Sequence, residues 1–306
     1  MMTGFISIIP IIFSFMSFAA VSTYLIKDLS FIATHGKAFN NINDNSRTSS
    51  SSLRVPKKYF SHFYITGCII SLLCFILSIH IGSKSSESNE LRHLAITLFG
   101  LHCLHRYLEC KCITKYGAST IHLAGYLVGL FHYIIIPLSM LYSEQSAHIT
   151  LLFTNISDDF RQYYLLFMIF LFVMSSMSQY ICHYILYQLK LNSYSGTKIG
   201  VNLPLKRIES CRLVEDSKKI DNKHDIIYQL PSGFLFNYIC CPHYTMEIII
   251  YIVLYNINPT ITQASILMWV CVNLSVTASV QYTWYYKHYM YEMKRRGIKR
   301  LVPFIW

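Results

Sequence analysis

The sequence predicts an all-α integral membrane protein built from seven transmembrane helices. Three observations carry that expectation. Hydrophobic residues make up 53% of the 306 positions and charged ones only 13%, about half the charge of a typical soluble domain. Mean hydropathy is +0.38. The apolar residues are also gathered into runs near the roughly 20 residues that a helix needs to cross a bilayer.

The runs follow one another as Gly4–Ile26, Phe60–Ile81, Leu91–Cys110, Ile121–Tyr142, Tyr163–Leu189, Tyr238–Ile257 and Thr260–Tyr286. The first lacks a positively charged n-region and is longer than a signal-peptide core, so it is expected to stay as an uncleaved helix. The third is the most polar, carrying His93, His102, His105, Arg106 and Glu109. It is expected to turn that polar face toward the protein interior. Asn258-Pro259 separates the last two runs, a dipeptide that favours a turn. No internal repeat is evident, so residues 1–306 are expected to form one domain.

Charge orients this arrangement. Lys27, Lys37, Arg47, Arg54, Lys57 and Lys58 lie between the first two runs, and Lys111 and Lys115 between the third and fourth. Lys190, Lys198, Lys206, Arg207, Arg212, Lys218, Lys219 and Lys223 lie between the fifth and sixth. Lys294, Arg295, Arg296, Lys299 and Arg300 follow the seventh. The alternate loops hold little beyond Lys84 and Arg161, the latter beside Asp158 and Asp159. The positive-inside rule then puts the C-terminus in the cytosol and the N-terminus in the lumen. Asn155-Ile-Ser157, a glycosylation sequon, falls in a lumenal loop on this reading. The Asn/Ser-rich stretch Asn40–Ser52 reads as a cytosolic loop.

Composition excludes several classes. The net charge of +11 is spread between apolar runs, where it meets anionic headgroups, rather than gathered on one module that would bind nucleic acid. The ten cysteines contain no C-x-x-C, and most lie inside apolar runs, so they are expected to be reduced and structural. Thirteen histidines include a single H-x-x-H, His102 to His105, and no H-H pair; no metal is expected. Neither G-x-G-x-x-G nor G-x-x-x-x-G-K-[ST] occurs, so any nucleotide must be held by the helices and their cytosolic loops.

Polar groups inside spans are costly and mark candidate sites. His102, His105, Arg106 and Glu109 share one helical face. They form either a charged patch for cofactor or substrate, or an Arg106–Glu109 pair that neutralises itself at the membrane edge. Gln179, Tyr180, His183 and Tyr184, with Lys190 beyond them, read either as a site or as an interfacial aromatic belt with a polar fringe. Cys241-Pro-His-Tyr244 followed by Glu247 reads either as a site or as a single interhelical hydrogen bond.

At these clusters the sequence resembles the polyprenol reductase branch of the steroid 5α-reductase family. Six segments carry the likeness in order. They are Val55-Pro-Lys-Lys-Tyr-Phe-Ser-His-Phe-Tyr64, Leu101-His-Cys-Leu-His-Arg-Tyr-Leu-Glu-Cys110, and Ser175-Ser-Met-Ser-Gln-Tyr-Ile-Cys-His-Tyr-Ile-Leu186. Leu230-Pro-Ser-Gly-Phe-Leu-Phe-Asn-Tyr238, Cys241-Pro-His-Tyr-Thr-Met-Glu247 and Leu301-Val-Pro-Phe-Ile-Trp306 complete the series. The resemblance covers residues from about 55 to 306 and implies a seven-helix fold whose cytosolic half holds NADPH. It implies cofactor contacts at Arg106, Gln179, His183, Lys190, Gly233, Tyr238, His243, Glu247 and Tyr285, with catalysis at His105, Arg106 and Glu109. The implied reaction reduces the α-isoprene double bond of a long-chain polyprenoid, supplying dolichol for glycosylation at the endoplasmic reticulum membrane.

The sequence departs from the wider family in places. Steroid reductases have a Tyr where this chain has Cys103 and an Asp where it has His183, departures that point away from steroid substrates. Tyr282 stands where the family usually has His. Glu292-Met-Lys-Arg-Arg296 replaces the family's Y-P-x-x-R-K. An enoyl-CoA or steroid reductase of the same fold, and a seven-span transporter or receptor, are the rival readings.

Overall fold

The computed structural model describes residues 2–26, 53–81, 87–114, 116, 119–142, 157–195 and 229–302. Asn155 of the sequon, the stretch Asn40–Ser52, the basic residues Lys198–Lys223 and the terminal Pro303–Trp306 lie outside the described residues.

Seven α-helices occupy the described residues: α1 Met2–Leu25, α2 Phe60–Ile81, α3 Glu87–Cys112, α4 Leu123–Tyr142, α5 Asp158–Ser195, α6 Pro242–Ile257 and α7 Ile261–Arg296. Five of them (α1, α2, α4, α5 and α7) are long and apolar enough to cross a membrane, which makes this a multi-pass membrane protein. The other two fall short for different reasons. α3 has the length but carries Glu90, Arg92, Arg106 and Glu109 among its 26 residues. α6 has only 16 residues, about 24 Å of helix.

Several bounds differ from those expected. α6 begins at Pro242 rather than Tyr238, because proline suits the first turn of a helix, where no N–H partner is needed. Residues 234–237 form a separate 3-10 turn before it. α5 and α7 run past their apolar stretches, α7 to Arg296, since a polar continuation costs a helix nothing once it leaves the hydrocarbon. The Asn258-Pro259 break does divide α6 from α7. Asn258 caps the end of α6, and the Thr260 side chain accepts the Gln263 backbone N–H at 3.1 Å to start α7.

Helices α2, α3 and α4 pack together, α5 lies along α6, and α1 lies along α7. α3 touches α2, α4 and α6. Its polarity explains this central position. Leu101, Leu104 and Leu108 are 51%, 43% and 49% exposed, whereas Phe99, His102, Cys103, Glu109 and Cys110 are buried. Leucines on the outer face suit lipid, and the polar groups find partners only inward. Large exposed apolar residues on α1 (Phe15, Phe18) and α5 (Phe167, Phe170) fit the same apolar solvent.

α2 and α3 meet closely because Gly67 has no side chain. A Cβ there would stand 2.6 Å from Cys103 Sγ and 3.0 Å from the Tyr133 ring. At one end, a short antiparallel pairing joins the segments before α2 and α4. Strand β1 (Arg54–Pro56) pairs with β2 (Thr120–His122), Arg54 opposite His122, and Arg54 Nε donates to Thr120 Oγ1 at 2.8 Å. The chain after α7 returns along the segment before α6. Lys299 N–H donates to the Tyr238 carbonyl at 2.9 Å, and Cys240 N–H to the Lys299 carbonyl at 2.7 Å. No disulfide joins two cysteines among the described residues.

Candidate active site

The three polar clusters of the sequence converge into two joined networks, with α3 contributing to both. The i, i+3, i+4 spacing stacks His102, His105, Arg106 and Glu109 along one side of α3. α5 brings Gln179 and His183, again four residues apart, and α6 brings His243 and Glu247 at the same interval.

The first network centres on Glu109, which is 2% exposed. The Arg106 guanidinium pairs with its Oε2, and His183 Nδ1 lies 2.8 Å from the same oxygen. His105 Nε2 stands 3.4 Å from Oε1. Arg106 Nη1 is also 2.8 Å from His183 Nδ1. One imidazole nitrogen cannot serve both neighbours: His183 Nδ1 donates to Glu109 Oε2 when it carries a proton and accepts from Arg106 Nη1 when it does not. Arg106 reaches a fourth helix as well: Nη2 donates to the Tyr64 hydroxyl at 3.2 Å, and the guanidinium lies 5.1 Å from the centre of the Tyr64 ring.

The second network centres on Glu247. His102 Nε2 donates to its Oε1 at 3.1 Å, and Gln179 Nε2 to its Oε2 at 2.5 Å. Gln179 Nε2 also donates to the His243 carbonyl at 3.3 Å. The His243 ring sits 5.4 Å from that of His183, closing the two networks into one cluster. Burying two carboxylates, a guanidinium and several imidazoles together is costly unless they pair. The three clusters therefore form one buried network whose charged groups pair with one another. The Arg106–Glu109 pair does form, but with His183 and Tyr64 it belongs to a larger assembly.

Among the buried atoms of this cluster, Glu109 Oε1, Gln179 Oε1, His102 Nδ1 and His105 Nδ1 have no hydrogen-bond partner. Such atoms are uncommon and call for a partner that the fold does not supply. Two acceptors beside imidazole nitrogens match a carboxamide, which offers an NH2 donor and a carbonyl acceptor. The nicotinamide end of a dinucleotide is such a group, so the residues present fit it. No cluster of metal-ligating side chains occurs among the described residues.

The remaining expected residues lie around this cluster, not in it. Lys190 is half-buried on α5, seven residues past His183 and about 10 Å along the axis. Gly233, with φ of 90°, opens the 3-10 turn Phe234–Asn237, and its N–H donates to Asn237 Oδ1 at 2.9 Å. That backbone conformation suits glycine alone. The turn presses Phe236 against Cys182 and Ile185 of α5 and 6.3 Å from the His243 ring. Tyr238 is half exposed, its carbonyl held by Lys299. Tyr285 is buried in a separate apolar group with Cys240, Cys241 and Met293, against which Tyr244 packs.

Two features had not been expected from the sequence. Tyr64 ends the first of the six quoted segments, and that was its only signal. His132 of α4 and Tyr251 of α6 form a buried pair, Nε2 to hydroxyl 2.8 Å.

Comparison with known proteins agrees with the early resemblance. Residues 207–306 match the sequence model of the family described as 3-oxo-5-alpha-steroid 4-dehydrogenase. The chain is 26% identical to the polyprenal reductase of Caenorhabditis elegans, over 94% of this chain and 91% of that one. It is 27% identical to the polyprenal reductase of Xenopus tropicalis (82% and 80%). Against the polyprenal reductase of Homo sapiens the identity is 26% (82% and 78%).

Proposed function

Because the chain belongs to the polyprenol reductase branch of the steroid 5α-reductase family, we propose that it reduces the α-isoprene double bond of polyprenal with NADPH. The reduction gives dolichal and so serves dolichol synthesis for protein glycosylation. The observation that carries this reading is the buried cluster joining Arg106, Glu109 and His183 to His102, Gln179 and Glu247.

NADPH, when bound, supplies a hydride to the alkene. Gln179, Glu109 and His105 carry the unpaired atoms that would hold its carboxamide. His243 and Glu247 position Gln179 for that contact. Gly233, Tyr238, Lys190 and Tyr285, around the cluster, would hold the rest of the dinucleotide, Lys190 by its charge. All seven helices span the endoplasmic reticulum membrane on this reading, with the N-terminus in the lumen and the C-terminus in the cytosol. α3 and α6, which carry much of the polar cluster, complete the bundle, and the polyprenoid tail lies in the bilayer.

Chemistry favours the aldehyde over the alcohol. Hydride adds readily to an alkene conjugated with a carbonyl, because negative charge then collects on oxygen, and a placed donor stabilises it. An allylic alcohol has no such sink. Arg106 supplies positive charge and N–H groups beside the site, and His105 an imidazole N–H.

The test is to supply purified protein with NADPH and either polyprenal or polyprenol, with no aldehyde-forming enzyme present. Cofactor oxidation is expected with polyprenal and absent with polyprenol. Robust oxidation with polyprenol would overturn the aldehyde assignment. Activity confined to short enoyl-CoA or to a steroid enone would overturn the substrate.

A further inference from the structure

We propose that Tyr64 is a catalytic residue, the hydrogen-bond donor to the aldehyde oxygen of the substrate; the proposal rests on the polyprenal reading above. Tyr64 is buried on α2, opposite the polar face of α3. Its ring is held from two sides, by the Arg106 guanidinium 5.1 Å from its centre and by the edge of Tyr133 at 5.2 Å. Its oxygen accepts from Arg106 Nη2 at 3.2 Å. That bond leaves the hydroxyl hydrogen pointing elsewhere, and no described residue accepts it. A phenol that accepts from a cation is a stronger donor in turn, since linked hydrogen bonds polarise one another.

The neighbouring donors are differently engaged. Arg106 directs Nη1 at Glu109 and His183 and Nη2 at Tyr64. His105 has Nε2 beside Glu109, and its ring lies 6.0 Å from the partly exposed Tyr180. Tyr64 thus combines a fixed ring, a cation behind its oxygen and an uncommitted hydrogen. An uncommitted buried donor is costly, and the oxygen of a bound enal would satisfy it.

The hydride brings its electron pair to the β-carbon of the enal and forms the new C–H bond. The alkene π pair becomes the bond between the α-carbon and the carbonyl carbon, and the carbonyl π pair moves onto oxygen, where the Tyr64 O–H meets it. A proton from water then adds to the α-carbon, and the carbonyl is restored. The substrate gains one hydride and one proton, the two electrons coming from the reduced nicotinamide.

The experiment reads the carbonyl directly. Polyprenal labelled with carbon-13 at the aldehyde is bound to the intact protein with saturating NADP+, which has no hydride to give, and its stretch is recorded by isotope-edited infrared spectroscopy. In the unsubstituted protein the stretch is expected at lower wavenumber than for the same aldehyde in alkane. In Tyr64→Phe the shift is expected to disappear, turnover with NADPH to fall about a hundredfold to a thousandfold, and NADPH binding to change less than threefold. Replacing Tyr64 with 3,5-difluorotyrosine, nearly isosteric and a stronger donor, is expected to enlarge the shift and decides the matter if the Phe variant does not fold. A shift that survives Tyr64→Phe, or ignores fluorination, overturns the Tyr64 assignment while leaving the reductase reading intact. An unsubstituted protein that does not reduce polyprenal at all overturns both.

Discussion

Glu247→Ala is the perturbation whose cost follows most directly from the network. It removes the acceptor of two donors from different helices. His102 Nε2 would lose its partner outright, in a side chain that is fully buried and whose Nδ1 already has none. Gln179 Nε2 would keep only its longer bond to the His243 carbonyl, at 3.3 Å. A stranded buried donor costs about 1–3 kcal/mol, and a lost hydrogen bond to a charged group about 1.5–3 kcal/mol. The sum expected is about 2.5–6 kcal/mol, a large part of the roughly 5–15 kcal/mol that folding leaves. Melting should fall by about 5–10 °C. Glu247→Gln should be much milder. The Gln179 amide can turn so that its unpartnered Oε1 accepts from the new NH2, while the new carbonyl oxygen still accepts from His102. The assay is thermal unfolding of the detergent-purified protein at one fixed scan rate, for the unsubstituted chain and both variants. Equal melting of Glu247→Ala and the unsubstituted chain, or a Gln variant less stable than the Ala variant, would refute the network.

Other substitutions test other parts of the account. Gly67→Ala places a Cβ 2.6 Å from Cys103 Sγ and should destabilise by about 1–3 kcal/mol; combining it with Cys103→Ala should recover part of the lost melting temperature. Gly233→Ala meets a φ of 90° and should cost about 1–3 kcal/mol, weakening NADPH binding in a fluorescence titration through displacement of the Phe234–Asn237 turn. Thr260→Ala removes the cap of α7 and should lower stability by about 0.5–2 kcal/mol while leaving the Michaelis constant for polyprenal unchanged. Arg106→Lys keeps the charge but cannot serve Glu109, His183 and Tyr64 together; with charged hydrogen bonds worth about 1.5–3 kcal/mol each, turnover should fall at least tenfold.

Much of the helical framework is readable from hydropathy, because lipid-facing residues must be apolar whatever they pack against. The same logic marks His102, Arg106 and Glu109, whose polarity inside a span has few explanations other than an inward face. What hydropathy cannot convey is which polar cluster meets which. Glu247 lies 145 residues from His102 and 68 from Gln179, and no local pattern encodes those pairings. Tyr64 is hidden for another reason: it is one tyrosine among 24, in an aromatic-rich segment where packing is the ordinary role. The pairing of Arg54–Pro56 with Thr120–His122 is too short to show any alternation. Hydropathy places the start of α6 four residues early, at Tyr238, because Tyr238–Cys241 is as apolar as the helix that follows. Pro242 is the better boundary signal, since proline suits the first turn of a helix.

The central claim is that this chain saturates a polyprenoid through the cluster joining α3, α5 and α6. It is tested most directly by expressing the chain in cells that lack their own polyprenoid reductase and measuring the dolichol-to-polyprenol ratio by mass spectrometry. The account predicts that the unsubstituted chain restores dolichol, and that Arg106→Lys inserts into the membrane normally but does not. An unchanged ratio with the correctly inserted unsubstituted chain, or full restoration by Arg106→Lys, would contradict it.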